Sequence, residues 1–176
     1  MRLFIALRFD DNILDALSDY QDDLRALGIA GNYTRRENLH ITLAFIGEYG
    51  TPDAVLDAME SVDFEPVNVR LNGIGAFRDL FWVGIEDNPE LAEYVKHLRR
   101  ELASRGIPYD RKRFSPHITL VRKFKNPHRV VLPEAVIPQS RISRISLMRS
   151  DRGKHGMIYT EIGAVIEYDQ PVFKKT

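Results

Sequence analysis

In the first half of the chain, segments with the apolar pattern of a strand are followed by segments with the apolar spacing of a helix. Residues 2–9 form an apolar run that ends at two aspartates, which is typical of a buried strand. Residues 12–28 then carry apolar side chains near helical spacing, and Gly28 is placed to end this helix. Asp10 or Asp11 is placed to cap it. The next predicted elements are a strand over 39–46, a helix over 51–62 that begins at Thr51 and Pro52, and a strand over 67–77.

The second half of the chain returns to this opening order. Its predicted elements are a strand over 80–85, an amphipathic helix over 90–105 ended by Gly106, a strand over 114–121, and two later strands over 144–149 and 157–168 around a polar turn at 151–154. His40 follows Phe4 by 36 positions. His117 follows Phe81 by the same 36 positions, so the two copies align at an offset of 77 residues. This match indicates an internal duplication.

Two copies are too few for a solenoid, which generally needs at least three repeats. Repeat one covers about residues 2–47 and repeat two about residues 80–124. We expect them to pack as two lobes about a pseudo-two-fold axis. No linker or low-complexity segment separates the repeats, so residues 1–176 are predicted to form a single domain.

A short motif, His-x-Thr, stands at matched positions of the two copies. His40 and Thr42 share one face of their predicted strand, because side chains alternate faces along a strand. His117 and Thr119 do the same in the second copy. The pseudo-two-fold axis would then place two imidazoles and two hydroxyls around one cleft.

A single histidine on an apolar strand is more often a hydrogen-bonded core residue than a catalyst. Packing alone explains why a duplication keeps the Ile and Leu of each motif, but it gives no reason to keep both histidines and both threonines. The repeated motif therefore indicates a catalytic site and not only a packing role. Imidazole has an ordinary pKa of about 6.5, so one ring of a pair is able to accept a proton while the other donates one.

A phosphodiester suits two opposed imidazoles, because attack and departure lie on opposite sides of phosphorus. The threonine hydroxyls are then placed to bind the non-bridging oxygens. Metal coordination is less favoured, since no Asp, Glu or Cys shares these strand faces. A serine-hydrolase type of site lacks an evident base and orienting group.

Basic residues surround both motifs and suit a phosphate partner. Arg122 follows Thr119 by three positions, and strict alternation points it away from that threonine. It joins the site only if the strand twists or ends there. The other basic residues beside the motifs are Arg35, Arg36, Arg111, Lys112, Arg113, Lys123 and Lys125.

Composition narrows the class of protein further. The net charge of zero combines −9 over residues 1–88 with +9 over residues 89–176, which suits either attraction between the halves or a basic lobe that meets an anion. The absence of cysteine excludes disulfides, thiolate metal sites and a cysteine nucleophile. No secretory signal or run of about 18 apolar residues is present. We expect a soluble cytoplasmic monomer with no membrane contact and no obligate protein partner.

The two extended segments NLHITLAFIGE, residues 38–48, and FSPHITLVR, residues 114–122, together resemble the motifs of the 2H phosphoesterase superfamily. Within it, the chain most resembles the bacterial and archaeal RNA 2′,3′-cyclic phosphodiesterases, once named 2′-5′ RNA ligases. The resemblance extends over nearly the whole chain. Its softer matches are residues 1–6, 81–85 and 147–150, with Gly156 and Tyr159.

The resemblance implies an α+β fold of two lobes, each an antiparallel sheet with helices outside and an active-site groove between the lobes. It also implies opening of a terminal 2′,3′-cyclic phosphate to a 2′-phosphomonoester, without a metal or other cofactor. His40 then resembles the proton donor and His117 the proton acceptor, although the pseudo-symmetry leaves these roles interchangeable. The implied phosphate contacts are Thr42, Thr119 and Arg122.

The chain departs from the resemblance at two positions. Tyr33 stands where relatives often carry Trp, and Arg78 stands where many carry Pro. Several functions remain open beside the RNA-end hydrolase. They are hydrolysis of a small cyclic nucleotide or a 2′-5′ oligonucleotide, 2′-5′ ligation as a side activity, metal-dependent hydrolysis, and RNA-end binding without catalysis.

Overall fold

The computed structural model describes residues 1–135 and 137–167. In these residues the chain forms, in order, β1 (Arg2–Leu7), α1 (Asp11–Ala26), β2 (Ala30–Tyr33), a 3₁₀ turn (Arg36–Asn38), β3 (Ile41–Glu48), α2 (Pro52–Glu60), β4 (Val67–Val69), β5 (Leu71–Phe77), β6 (Leu80–Ile85), α3 (Pro89–Ser104), β7 (His117–Lys125), β8 (Ser140–Ile142), β9 (Arg144–Gly153) and β10 (Gly156–Ile166).

Eight of the described strands form two four-stranded antiparallel sheets. The first sheet has the order β10-β9-β1-β3, and the second has the order β2-β7-β6-β5. The short strands β4 and β8 pair separately. Each large sheet contains the strand pair of one sequence copy, β1–β3 or β6–β7, which confirms the predicted two-lobed α+β architecture.

β1 separates the hydrophobic core from the cleft. Leu3, Ile5 and Leu7 are fully buried and belong to the main core cluster, together with the buried faces of α1 and α3. Phe4 and Ala6 point to the opposite face and form a second, smaller cluster with Met148 of β9. The alternation of β1 therefore places helices against one face of the first sheet and leaves the other face to the cleft.

Matching β-bulges mark the β1–β3 and β6–β7 strand pairs. β3 has extra residues at Leu43, directly after Thr42, and at Ile46, and the one at Leu43 has a match in β7. In β7 the extra residue is Leu120, directly after Thr119. The two bulges are 77 positions apart, which is the offset of the sequence repeat. Because a bulge inserts one residue into the strand, it moves every later side chain to the opposite face.

The lobes are not each built from one continuous repeat. β2 lies within repeat one, residues 2–47, yet it pairs with β7 in the second sheet. The first sheet is completed instead by β9 and β10 from the last third of the chain. Sequence periodicity misses β2 because its residues are largely exposed and show no apolar alternation.

Other elements differ in detail from the predictions. The strand predicted over 67–77 divides into β4 and β5, which join different sheets. β8 and the 3₁₀ turn are three residues each, too short for a periodic signal. β9 continues to Gly153, so the hairpin turn lies at Lys154 and His155. Tyr168, the predicted end of the last strand, lies outside the described residues.

The helices begin within one residue and end within two residues of the predicted positions. The Asp10 side chain caps α1 by accepting a hydrogen bond from the Ile13 backbone N–H at 3.1 Å. Thr51 occupies the N-cap position of α2 without making a side-chain capping bond. Gly28 and Gly106 follow α1 and α3 with φ of 81° and 69°, in the left-handed region that glycine adopts easily. Among the described residues, no helix is long and apolar enough to cross a membrane.

Candidate active site

The two His-x-Thr motifs meet at one cavity of about 1010 Å³. His40 and Thr42 reach it from the start of β3 in the first sheet, and His117 and Thr119 reach it from β7 in the second. Arg122 also lines this cavity. The structure therefore brings all five predicted site residues to one place between the two sheets.

Both ring nitrogens of His40 have hydrogen-bond partners. Nδ1 lies 2.7 Å from the backbone carbonyl oxygen of Asn38, and Nε2 lies 2.9 Å from Oγ1 of Thr42. Because a carbonyl oxygen only accepts, Nδ1 carries a proton and donates it to Asn38. In the neutral ring Nε2 therefore accepts from the Thr42 hydroxyl, and Nε2 is the nitrogen able to exchange a proton with a bound molecule.

His117 is oriented in the same way. Its Nδ1 lies 2.7 Å from the backbone carbonyl oxygen of Ser115. Ser115 precedes His117 by two positions, just as Asn38 precedes His40 by two positions. The holding carbonyls are therefore repeated at the offset of 77 residues along with the histidines. The ring of His117 is more exposed than that of His40, and its outer neighbour is Trp82, with 6.3 Å between ring centroids. The duplication preserves the tautomer and the direction of both rings.

Burial sets the protonation of His40 in the free protein. It lowers the pKa of His40 to about 4, because the charged ring would lose its hydration. The hydrogen bond to Asn38 opposes this effect, while the positive charges of Arg122, His117 and Arg8 add to it. His40 is therefore neutral near pH 7 in the free protein.

Two aromatic rings pack against His40 and contribute to its burial. The Phe4 ring lies 5.0 Å from the His40 ring, and the Tyr159 ring meets it edge-on at 5.5 Å. Phe4 and Tyr159 both line the cavity. The apolar pattern of the sequence gives neither residue a role in the site. Strand alternation from Ala6, the partner of Thr42 in β1, places Phe4 on this face.

Arg122 reaches the cavity because of the bulge at Leu120. Leu120 and Val121 are both buried, so the alternation of β7 breaks there and Arg122 lies exposed on the same face as Thr119. Strict alternation, which pointed Arg122 away from Thr119, is therefore wrong for this strand. In β3 the matching bulge gives the equivalent position to Phe45, which also lines the cavity.

Asn38 is a positioning residue that the sequence pattern does not reveal. Its carbonyl oxygen holds Nδ1 of His40, and its own Nδ2 donates a hydrogen bond to the Met157 carbonyl oxygen at 3.0 Å. The side chain is buried, and it ties the 3₁₀ turn to β10. The direction of the His40 ring is thus fixed by a contact between residues 119 positions apart.

The basic residues predicted beside the motifs divide between the cavity and the outer surface. Arg35 lines the cavity and donates to the carbonyl oxygen of His155, across the hairpin turn of β9 and β10. Arg36 is engaged by the carboxylates of Asp11 and Asp15 on α1. The others, apart from Arg122, lie outside the cavity wall: Arg111, Lys112, Arg113, Lys123 and Lys125. Tyr33 lines the cavity, and Arg78 does not.

The arrangement is suited to proton transfer around a bound anion. Two imidazoles line the same cavity, each with Nδ1 held by a carbonyl oxygen, and the Thr119 hydroxyl and the Arg122 guanidinium stand beside them as hydrogen-bond donors. The Thr42 hydroxyl is bonded to Nε2 of His40 in the neutral site. Within residues 1–135 and 137–167, no three His, Cys, Asp or Glu side chains are grouped so that they could hold a metal ion.

Comparison with known proteins places the chain in a family. The model of the 2′-5′ RNA ligase superfamily matches residues 12–154 of the chain. A protein of Methanothermobacter thermautotrophicus, named RNA 2′,3′-cyclic phosphodiesterase, is 28% identical over 92% of this chain and 96% of its own. A protein of the same name from Archaeoglobus fulgidus is 33% identical over 72% of this chain and 76% of its own.

Solved structures agree on the fold. Escherichia coli LigT complexed with 3′-AMP has a TM-score of 0.80 and 23% identity, covering 94% of this chain and 96% of its own. TT0787 of Thermus thermophilus has a TM-score of 0.78 and 25% identity, covering 94% of this chain and 97% of its own. The family match spans far more than half of the chain, and it confirms the resemblance carried by the paired motifs. The chain therefore belongs to the 2′-5′ RNA ligase superfamily.

Proposed function

We propose that this protein is a metal-independent phosphodiesterase that hydrolyses 2′,3′-cyclic phosphate ends of RNA to 2′-phosphomonoesters. The observation that carries the proposal is the pair of imidazoles, held by equivalent carbonyl oxygens and directed with Nε2 toward one cavity. Two relatives named RNA 2′,3′-cyclic phosphodiesterase, similar over most of the chain, support the choice of substrate. LigT shares the fold, and one of its solved structures holds the nucleotide 3′-AMP.

Each side chain of the site receives one role in this reaction. His117 accepts a proton from a water molecule as the water oxygen bonds to phosphorus. His40 donates a proton to the ribose 3′ oxygen as the bond between that oxygen and phosphorus breaks. The phosphate stays on the 2′ oxygen. Thr42, Thr119 and Arg122 bind the non-bridging oxygens, where charge is redistributed in the transition state.

His40 must be protonated to act as the donor, yet it is neutral in the free protein because burial and nearby positive charges lower its pKa to about 4. A bound phosphate group brings negative charge beside Arg122, whose positive charge opposes protonation of His40. An opposite charge close to an imidazole raises its pKa. We therefore infer that the substrate anion itself enables His40 to take up its proton.

This inference predicts that inorganic phosphate raises the pKa of His40 from about 4 to at least its ordinary value of about 6.5. The measurement is an NMR titration of the imidazole between pH 3 and pH 8, with and without saturating phosphate. His97, on α3 and outside the cavity, supplies an internal reference signal. A His40 pKa that stays near 4 with phosphate bound would overturn the donor role and favour His40 as the base.

The function itself is tested with a short RNA that ends in a 2′,3′-cyclic phosphate, in excess chelator. We expect turnover to continue at the rate seen without chelator, and the product to carry its phosphate on the 2′ oxygen. A matched RNA with a linear 3′-phosphate is the control and should not react. Activity that disappears with chelator and returns with a divalent cation would overturn metal independence, and binding without turnover would indicate an RNA-end binding module.

The proposed partners are RNA ends or nucleotides that carry a cyclic phosphate, encountered in the cytoplasm by a monomeric enzyme. The same site run backwards would join a 2′,3′-cyclic end to a 5′-hydroxyl end with a 2′-5′ linkage. Water at about 55 M outcompetes RNA ends at ordinary concentrations, so hydrolysis dominates and ligation is a side activity.

A further inference from the structure

Part of the cavity lies beyond the residues that the proposed reaction uses. Along the first sheet, its wall continues from His40 through Phe4 to Phe45 and Arg2. Phe4 is the strand partner of Phe45, and the Phe4 ring lies 5.0 Å from the His40 ring. The cavity of about 1010 Å³ lies at the upper end of the size range of small-molecule sites. It therefore has room for more than the reacting phosphate and its ribose.

Arg2 presents a positive charge to this outer part of the cavity. Its guanidinium carbon stands 4.9 Å from the centroid of the Phe45 ring. Within the part of the chain that the structure describes, Arg2 makes no ion pair, and the carboxylate of its strand partner Glu48 is bound by the Met1 amino group at 3.3 Å. The ring of Phe45 occupies one face of the guanidinium, so the N–H groups at its edge remain able to bind an anion.

The pseudo-symmetry of the fold shows how this part of the cavity wall differs from its counterpart in the other lobe. Phe45 stands at the position of repeat one that corresponds to Arg122 in repeat two, and matching bulges turn both toward the cavity. One lobe thus offers a cation beside the reacting histidines. The other lobe has the aromatic ring of Phe45 at the equivalent position, and its cation, Arg2, lies farther from the histidines along β1.

A second aromatic–arginine pair lines the opposite wall but is less suited to bind a phosphate. Arg25 stands 4.1 Å from the centroid of the Tyr33 ring. Its guanidinium is already paired with the Asp22 carboxylate at 2.7 Å, and the Tyr33 hydroxyl donates to the Ile29 carbonyl oxygen at 2.7 Å. Arg2 has no such competitor among the described residues, so the observations favour the Arg2–Phe45 pair.

We propose that Arg2 and Phe45 form a subsite for the internucleotide phosphate and the sugar or base next to the cyclic end. Guanidinium groups bind phosphate oxygens through two parallel hydrogen bonds, and aromatic side chains stack with bases of single-stranded nucleic acid. This inference rests on the proposed function and refines its substrate class. The subsite makes the enzyme prefer an oligonucleotide end to a nucleoside 2′,3′-cyclic phosphate, which has no internucleotide phosphate.

The test compares a dinucleotide that ends in a 2′,3′-cyclic phosphate with the corresponding mononucleotide. We expect the wild-type protein to have the higher kcat/KM for the dinucleotide. In Arg2→Gln, the ratio of the two kcat/KM values should fall about 10-fold, because a charge-assisted contact is lost for one substrate only. Phe45→Leu should lower the same ratio through loss of stacking. The salt dependence of dinucleotide kcat/KM should also become weaker by about 0.7 in log–log slope in Arg2→Gln.

The matched control is Arg100→Gln, which removes an exposed arginine of α3 outside the cavity and should leave the ratio unchanged. Turnover of the mononucleotide by each variant reports that the fold and the reacting groups are intact. A ratio that stays at the wild-type value in Arg2→Gln, or a loss shared equally by both substrates, overturns the subsite while the proposed function stands. Absence of turnover of either substrate by the wild-type protein overturns the proposed function and the subsite with it.

Discussion

Replacement of either His40 or His117 by alanine is expected to lower kcat for hydrolysis of an RNA 2′,3′-cyclic end by about 10²- to 10⁴-fold. Each variant removes the group that carries out one of the two proton transfers. No other described side chain occupies the position of the lost imidazole. The equivalent carbonyl oxygens of Asn38 and Ser115 direct both Nε2 atoms toward the cavity. Single-turnover assays on the same RNA measure the chemical step directly.

A variant with both histidines replaced shows whether the two rings act together in one reaction or contribute independently to the rate. Because the two rings act on one reaction, we expect His40→Ala combined with His117→Ala to be little slower than the slower single variant. His97→Ala is the matched control, since His97 lies on α3 and pairs with Glu93 outside the cavity. Turnover near the wild-type rate in either single variant would contradict the paired mechanism.

The sequence predicts the histidines and threonines of the site because their arrangement depends on local geometry. Strand alternation alone places His40 with Thr42 and His117 with Thr119, and the duplication alone predicts that the two pairs face each other. The structure places all four at one cavity. The apolar residues between them pack into the core, with Ile41 and Ile118 fully buried.

Other parts of the site depend on contacts between distant residues, which periodicity does not reveal. The face of Arg122 is set by a bulge that forms only when β7 pairs with β6. Asn38 acts through Met157, 119 positions away. β2, which carries Tyr33 to the cavity, pairs across to the second sheet rather than within its own repeat. In each case, tertiary pairing decides what the local pattern leaves open.

Arg122→Ala is expected to lower kcat/KM by about 10²- to 10³-fold, the usual cost of removing one donor that stabilises transition-state charge. The guanidinium is exposed in the cavity on the face of Thr119, and it is held there by the backbone of β7. Arg122→Lys keeps the charge but loses the two-pronged geometry, so its rate should fall between those of the wild type and Arg122→Ala. Lys125→Ala, at the end of the same strand and outside the cavity, is the control.

The same variant has a second readout that a purely structural role would not produce. The positive charge of Arg122 contributes to the low pKa of His40, after the larger effect of burial. Removal of that charge makes the protonated ring less unfavourable, so the pKa of His40 should rise above about 4 in Arg122→Ala while staying below its ordinary value. NMR titration of the free variant checks this direction. A slow variant in which the His40 pKa has not moved would show that Arg122 acts away from the histidines, whereas a raised pKa together with lost turnover ties its charge to the reacting group.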